Sequence, residues 1–175
     1  MGLLYVMNKF ECLAHSRKAH SLAVANVCKL MASELKLYES FAYLGGLYHD
    51  IGYSVSKDGH PFHGYCILRD NKLDELAMVA LAHSKSERLD ELARKELLKM
   101  DITEELKLYI DLVSTADFLV DGKGEVVGVD ARLMDIKDRL GENSVAGIVA
   151  EAQYKDAVSW LNKNKLSHFI TGGIS

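Results

Sequence analysis

The sequence is poor in proline and cysteine. Its 175 residues include one proline, Pro61, and three cysteines with no CxxC spacing. A single proline and few stretches of alternating polar and apolar residues favour an all-α fold. An odd, small number of thiols argues against a disulfide framework and predicts a reducing compartment, the cytoplasm.

Long apolar runs and an excess of positive charge are also missing. No stretch approaches the about 18 uncharged apolar residues of a membrane-spanning helix, and the first residues lack the basic and apolar segments of a signal peptide. The formal net charge of −4 argues against a nucleic-acid partner bound through a broad basic surface. The length and ordinary composition predict one domain over residues 1–175. The sequence leaves open whether copies of the chain form a homo-oligomer.

Six imidazoles and carboxylates form the most informative pattern that is present. In chain order they are His20, His49, Asp50, His60, His83 and Asp117. Such side chains bind borderline divalent metals. A lone histidine on an apolar face is more often a core residue than a ligand. Two buried carboxylates and four buried imidazoles, however, need mutual pairing or a metal.

Helical periodicity places these six residues on apolar faces. Val24 and Val27 follow His20 at helical spacing, and Val113 precedes Asp117 by one turn. The pattern predicts helices over residues 3–14, 17–36, 39–50, 61–70, 73–84, 103–120, near 130–140 and 144–163, with Gly52 ending the third helix. Residues 86–99 are expected to be a solvated helix or loop, and residues 167–175 a frayed tail.

Five segments resemble the motifs of HD-domain metal-dependent phosphohydrolases. Residues 17–25 are similar to their opening RxxHSxxVA, and residues 48–52 to their HDIG signature. Residues 60–68 resemble the HPxxGAxxL element of the dinuclear branch, and residues 82–84 and 115–117 match the later histidine and the closing Ala-Asp. The resemblance covers residues 17–117.

The resemblance implies an all-α HD-domain bundle of about seven to nine helices, with a metal-site core at residues 17–117 and C-terminal helices at 130–165. It implies two divalent transition metals, iron, manganese, cobalt or zinc. The first would be held by His20, His49 and Asp117, the second by His60 and His83, and both by the catalytic Asp50. The implied reaction is hydrolysis of a phosphoester or phosphoanhydride in a phosphorylated small molecule of nucleotide type.

Four further residues are candidate contacts for substrate phosphates: Arg17, Lys57, His63 and Arg69. Arg17 lies one helical turn before His20 and faces the same way. For His63 a phosphate or supporting role and simple exposure stay equally open, and a lone surface lysine such as Lys57 is more often solvated.

Tyr53 is a departure from the resemblance. Many cyclic-dinucleotide phosphodiesterases of the superfamily have a lysine at this position and a Gly-Tyr-Pro element that this chain lacks. Such an activity is therefore disfavoured, whereas the dinuclear pattern is similar to that of dinucleoside polyphosphate hydrolases. Two alternatives remain: a nucleotide-sensing metal-binding module without turnover, and a di-iron oxygenase of the HD type.

Overall fold

The chain is all-α in the computed structural model, which describes residues 2–83 and 91–172. The helices in these ranges are α1 (Gly2–Glu11), α2 (His15–Glu34), α3 (Glu39–Tyr48), α4 (His60–Asp70), α5 (Asp74–Ala82), α6 (Glu91–Leu97), α7 (Glu104–Leu119), α8 (Val129–Leu140) and α9 (Val145–Lys163). One isolated antiparallel bridge, Val120 with Val126, is the only β pairing within the described residues. The predicted fold class is confirmed.

Two apolar clusters hold the helices together. The larger lies among α2, α3, α7 and α9, and includes Met31, Val113 and Leu119. The smaller lies among α1, α4, α5 and the 3₁₀ turn Ile51–Ser54, and includes Ile51 and Leu68. Helix α3 contributes side chains to both clusters, so its C-terminal end is fixed from two sides.

The last two helices pack on the central helix α7. Ala150, Ala157 and Trp160 of α9 join the larger cluster. Ser144 caps α9 by accepting a hydrogen bond from the Gly147 N–H at 2.9 Å. These contacts are consistent with one domain over the whole chain, which stays a prediction.

The chain after α9 differs from the predicted frayed tail. Residues Ser167–Thr171 form a 3₁₀ turn, and Phe169 is buried in the larger cluster. The prediction is therefore wrong for this segment, because one aromatic side chain finds an apolar site. Residues 173–175 lie outside the described residues, as do residues 86–90 of the predicted solvated segment.

Several helix ends differ from their predicted positions in a way that matters for the six candidate ligands. Helix α3 ends at Tyr48 and α5 ends at Ala82, so His49 and His83 each follow a helix rather than continue it. The prediction that Gly52 ends a helix is wrong. A Cβ at Gly52 would lie 1.9 Å from the carbonyl oxygen of His60, so this glycine is needed for close contact between the 3₁₀ turn and α4.

Among residues 2–83 and 91–172, every helix is either too short or too polar to span a lipid bilayer.

Close packing of α2 against α3 leads to a prediction for Gly46→Ala. A Cβ there would lie 2.8 Å from both Ala25 Cα and Cys28 Sγ. We expect overpacking of about 1–3 kcal/mol, which corresponds to a fall in the melting temperature of roughly 2–4 °C per kcal/mol. Thermal unfolding followed by circular dichroism measures the change.

The matched control is Gly122→Ala, because nothing lies within 4 Å of a Cβ at that position. It should melt within about 2 °C of the wild type, since ordinary surface substitutions change stability by less than about 0.5 kcal/mol. Equal melting temperatures for the wild type and Gly46→Ala would show that α2 and α3 can separate without cost.

Candidate metal centre

The six predicted ligands form one cluster although they come from five separate parts of the chain. His20 lies in the second turn of α2 and Asp117 in the last turn of α7. His49 and Asp50 follow α3, His60 begins α4, and His83 follows α5. Their ligand atoms form three overlapping groups, and within each group the atoms lie within 4.8 Å of one another. The groups are His20, His49 and Asp50; His49, His83 and Asp117; and Asp50, His60 and His83. The helix packing therefore brings all six together.

Asp50 stands at the centre of this cluster. Its Oδ2 lies 2.5 Å from an Arg17 Nη1 and 3.4 Å from the His49 Nε2. Its Oδ1 lies 3.3 Å from the His60 Nε2 and 3.5 Å from the His83 Nε2. The two oxygens of one carboxylate thus face two different pairs of partners.

Asp117 closes one side of the cluster. Its Oδ1 lies 2.9 Å from the His20 Nε2 and 3.5 Å from the His49 Nε2. His49 therefore faces both carboxylates, and His20 faces only Asp117 at this range. The residues predicted to hold the first ion are therefore close together, with both carboxylates within 3.5 Å of the His49 Nε2.

Three of the four imidazoles are oriented by backbone carbonyls. The Nδ1 atoms of His20, His49 and His83 lie 2.8, 2.7 and 2.7 Å from the carbonyl oxygens of Asp121, Gly46 and Ala80. A carbonyl only accepts, so each Nδ1 carries the proton and donates it. Each Nε2 is then directed at the carboxylates, which is the orientation that a metal-bound histidine requires.

Helix termination explains two of these hydrogen bonds. The last carbonyls of a helix have no helical N–H partner. His49 and His83 directly follow α3 and α5, and each donates to the carbonyl three residues earlier. His20 is inside α2 and is instead reached by the loop after α7. In that loop the Asp121 Oδ1 accepts from the N–H groups of Lys123 and Glu125 at 2.8 and 2.9 Å.

The two carboxylates of the cluster stay charged although they are buried. Burial would raise the pKa of Asp50, but the charge of His49 and contacts with His49, His60 and His83 hold it well below its usual range. Burial likewise opposes the ionisation of Asp117, whereas contacts with His20 and His49 hold its pKa well below the usual range. Both carboxylates therefore stay ionised at neutral pH.

The pKa of His49 is shifted by the same two carboxylates. Burial would lower the pKa of its imidazole, but Asp50 and Asp117 together raise it to about 10. Its Nε2 is fully buried and has no hydrogen-bond partner among the described residues. A buried nitrogen that faces two carboxylates favours a cation, either a proton or a metal ion. The nitrogen and oxygen donors present here suit a divalent transition metal.

The four predicted phosphate contacts occupy different places. The Arg17 guanidinium, with 32% of its side chain exposed, binds Asp50. His63 lies on α4 one turn beyond His60 and lines an apolar groove of about 350 Å³ with Val55 and Ile67. The structure therefore brings Arg17 to the cluster, whereas His63 lines a groove that none of the six ligands lines.

Lys57 and Arg69 lie away from the six ligands. Lys57 is exposed in the turn before α4. Arg69 donates from Nη2 to the Asp70 Oδ1 at 2.9 Å, and its guanidinium lies 5.0 Å from the Tyr65 ring centroid. Neither cation contacts a member of the cluster within the described residues.

Tyr53 is a site residue whose role the sequence did not reveal. Its ring stacks on His60 with centroids 4.1 Å apart and an interplanar angle of 28°, and the Arg17 Cζ lies 4.2 Å from the same centroid. The sequence showed only that a tyrosine follows the motif at residues 48–52. The carbonyls that orient the histidines were also missed, since a backbone acceptor has no residue signature.

Comparison with known families gives the identity. No solved structure matches the chain. The model of the family described as HD domain matches residues 17–118, more than half of the chain, and this range contains all six clustered ligands. The family is mostly composed of metal-dependent hydrolases. The chain therefore belongs to the HD domain family.

Proposed function

We propose that the chain is a metal-dependent phosphohydrolase that cleaves a phosphoester or phosphoanhydride of a nucleotide-type substrate. The observation that carries the proposal is the position of Asp50. Its Oδ2 faces His49 and its Oδ1 faces His60 and His83, at distances of 3.4, 3.3 and 3.5 Å. One buried carboxylate with an imidazole beside one oxygen and two imidazoles beside the other suits a pair of divalent ions.

The proposed ligand sets follow the contacts of each carboxylate. His20, His49 and Asp117 would hold one ion, and His60 and His83 the other, with Asp50 shared. Ions bound in this way would supply an activated water and positive charge beside the phosphorus atom. The chain's part is to keep both carboxylates ionised and the four Nε2 atoms directed inward.

Arg17 is proposed to bind and orient the substrate phosphate. Its guanidinium is partly exposed, is always charged, and already contacts a carboxylate through a short charge-assisted hydrogen bond. His63 is proposed as a second polar contact beside the cluster, and Lys57 and Arg69 as contacts for more distant phosphates. With a net charge of −4, the chain must attract an anionic substrate through such local cations.

The nucleotide class rests on the resemblance to dinuclear HD phosphohydrolases and on the need for several cations near the cluster. The complete set of six ligands favours turnover over sensing, since a sensor could lose ligands without losing its fold. No contact in the cluster favours an oxygenase. Cleavage by an activated water is the simplest chemistry for this arrangement.

The first prediction from this proposal is hydrolysis that depends on Asp50. Purified protein is incubated with mono-, di- and cyclic nucleotides, dinucleoside polyphosphates and polyphosphate, each with manganese, iron, cobalt or zinc. Products are followed by chromatography and by phosphate release. Asp50→Asn keeps the side-chain shape but removes the charge, so we expect turnover to fall at least about a hundred-fold.

Asp135→Asn is the matched control, because Asp135 also binds arginines, but it lies on α8 outside the cluster and its partners Arg132 and Arg139 are not proposed substrate contacts. It should keep wild-type turnover. Wild-type protein that cleaves none of these substrates with any metal would overturn the proposal, as would an Asp50→Asn variant that keeps most of its turnover.

The second prediction concerns chelation. Removing bound metal should lower the melting temperature, because the ion binds the folded chain and the ligands are buried. At a metal concentration about 100 times the dissociation constant, the stabilisation is about 2.7 kcal/mol. Differential scanning calorimetry with and without manganese measures the shift, and the Asp50→Asn variant should show a much smaller one. Identical melting of the wild type in chelator and in metal would contradict this expectation.

The third prediction separates one ion from two. The wild type should bind two ions per chain, and the double variant His60→Ala/His83→Ala should bind one, because His20, His49 and Asp117 remain. Metal content per chain after dialysis is the measurement. The control His15→Ala/His168→Ala removes two histidines that lie outside the metal groups found among the described residues. A wild type that binds one ion, retained in the first double variant, would refute the second site.

A further inference from the structure

His60 differs from the other three imidazoles in how its ring is held. The rings of His20, His49 and His83 each donate to a backbone carbonyl and are almost fully buried. The His60 side chain is 21% exposed, and no carbonyl accepts from its ring among the described residues. The orientation of its Nε2 toward Asp50 must therefore come from another contact.

Tyr53 supplies that contact. The two rings are nearly parallel, with 28° between their planes and 4.1 Å between their centroids. Tyr53 belongs to the 3₁₀ turn Ile51–Ser54, which lies directly after Asp50 and is packed against the start of α4 at Gly52. The stack thus joins two rigid segments and leaves the His60 ring little freedom to rotate.

The same ring also contacts the other side of Asp50. The Arg17 Cζ lies 4.2 Å from the Tyr53 centroid, within the range of a cation–π interaction. Arg17 binds the Oδ2 of Asp50 while His60 faces its Oδ1. One aromatic ring therefore touches the partner of each oxygen of the shared carboxylate.

The phenol hydroxyl is not needed for these contacts. It makes no hydrogen bond to any described residue. The ring face, rather than a phenolate oxygen, is the part of Tyr53 that acts on the cluster.

We propose that Tyr53 is a positioning residue: its ring takes the place of a backbone carbonyl in orienting His60, and so sets the affinity of the ion held by His60 and His83. This inference rests on the proposed dinuclear function. It predicts that the affinities of the two ions depend on different contacts, since the two histidines of the first ion, His20 and His49, are oriented by backbone hydrogen bonds that Tyr53 does not touch.

The test compares Tyr53→Phe with Tyr53→Ala in the full chain. Cobalt(II) is titrated into metal-free protein, and its visible absorption and calorimetric binding isotherm report each ion. Tyr53→Ala should weaken the second ion by about 10–100-fold, the usual loss when a partner that orients a ligand is removed, and leave the first within about two-fold. Tyr53→Phe keeps the stack and should bind both ions like the wild type.

Tyr154→Ala is the matched control. Tyr154 is also half-buried, but its hydroxyl donates to Asp130 between α9 and α8, away from the cluster. Circular dichroism and melting temperature in the metal-free state show whether each variant folds. A loss of second-ion affinity in Tyr53→Ala that Tyr53→Phe restores is an effect that general destabilisation does not produce.

Other outcomes overturn the inference in distinguishable ways. Equal affinity for both ions in Tyr53→Ala and wild type removes Tyr53 from the site and leaves the proposed function intact. Equal weakening of both ions, or a Tyr53→Phe variant as weak as Tyr53→Ala, shows that stacking on His60 is not the cause. A wild type that binds no cobalt, manganese or zinc overturns the proposed function itself.

Discussion

The buried charge of Asp50 is the constraint on which the rest of the structure depends. The residue is 3% exposed, and an ionised carboxylate is costly to bury unless cations or hydrogen-bond donors surround it. Its partners are Arg17, His49, His60 and His83, from separate parts of the chain. The helices that carry these partners must therefore converge on Asp50. Gly46 and Gly52 have no side chain, which allows α2 and the start of α4 to pack closely against the backbone on either side of Asp50.

At two positions, one hydrogen bond both caps the end of a helix and orients a candidate metal ligand. His49 and His83 follow the last residues of α3 and α5 and return their Nδ1–H groups to carbonyls of the final turn. Those carbonyls would otherwise need water or a capping group. Each imidazole supplies the missing hydrogen bond to a carbonyl at the helix end, and this contact fixes its Nε2 toward the carboxylates. His20 has no such carbonyl within its own helix, so the loop at Asp121 provides one.

The sequence predicted which residues gather, because apolar periodicity reports the buried face of a helix. His20 and Asp117 were placed correctly on α2 and α7 by this periodicity. It failed at His49 and His83, since an apolar stripe continues smoothly through a helix end and does not show where hydrogen bonding stops. The local sequence also led to the wrong prediction that Gly52 ends a helix. The glycine is needed because the His60 backbone packs against it, and this tertiary contact has no local pattern.

Tertiary contacts account for the two features that the sequence did not predict. Phe169 is buried in the larger cluster with Leu166, and Ile170 packs against it, but three apolar residues before a Gly-Gly pair are too short a pattern to predict this burial from the sequence. The role of Tyr53 depends on the turn that brings its ring over His60. At both positions the partner of the ring is defined only when the chain has packed.

The two sides of the cluster differ in exposure, and this difference bears on how a substrate would enter. His20, His49 and His83 are closed off from solvent, whereas Arg17, His60 and Asp117 have side chains that are 32%, 21% and 21% exposed. Under the proposed function, a phosphate would reach the cluster along the edge formed by these three residues. Arg17 and a divalent ion near the Oδ2 of Asp50 would repel each other, and an anionic phosphate beside both would relieve that repulsion. Binding of substrate and binding of metal on this side of Asp50 should therefore reinforce each other.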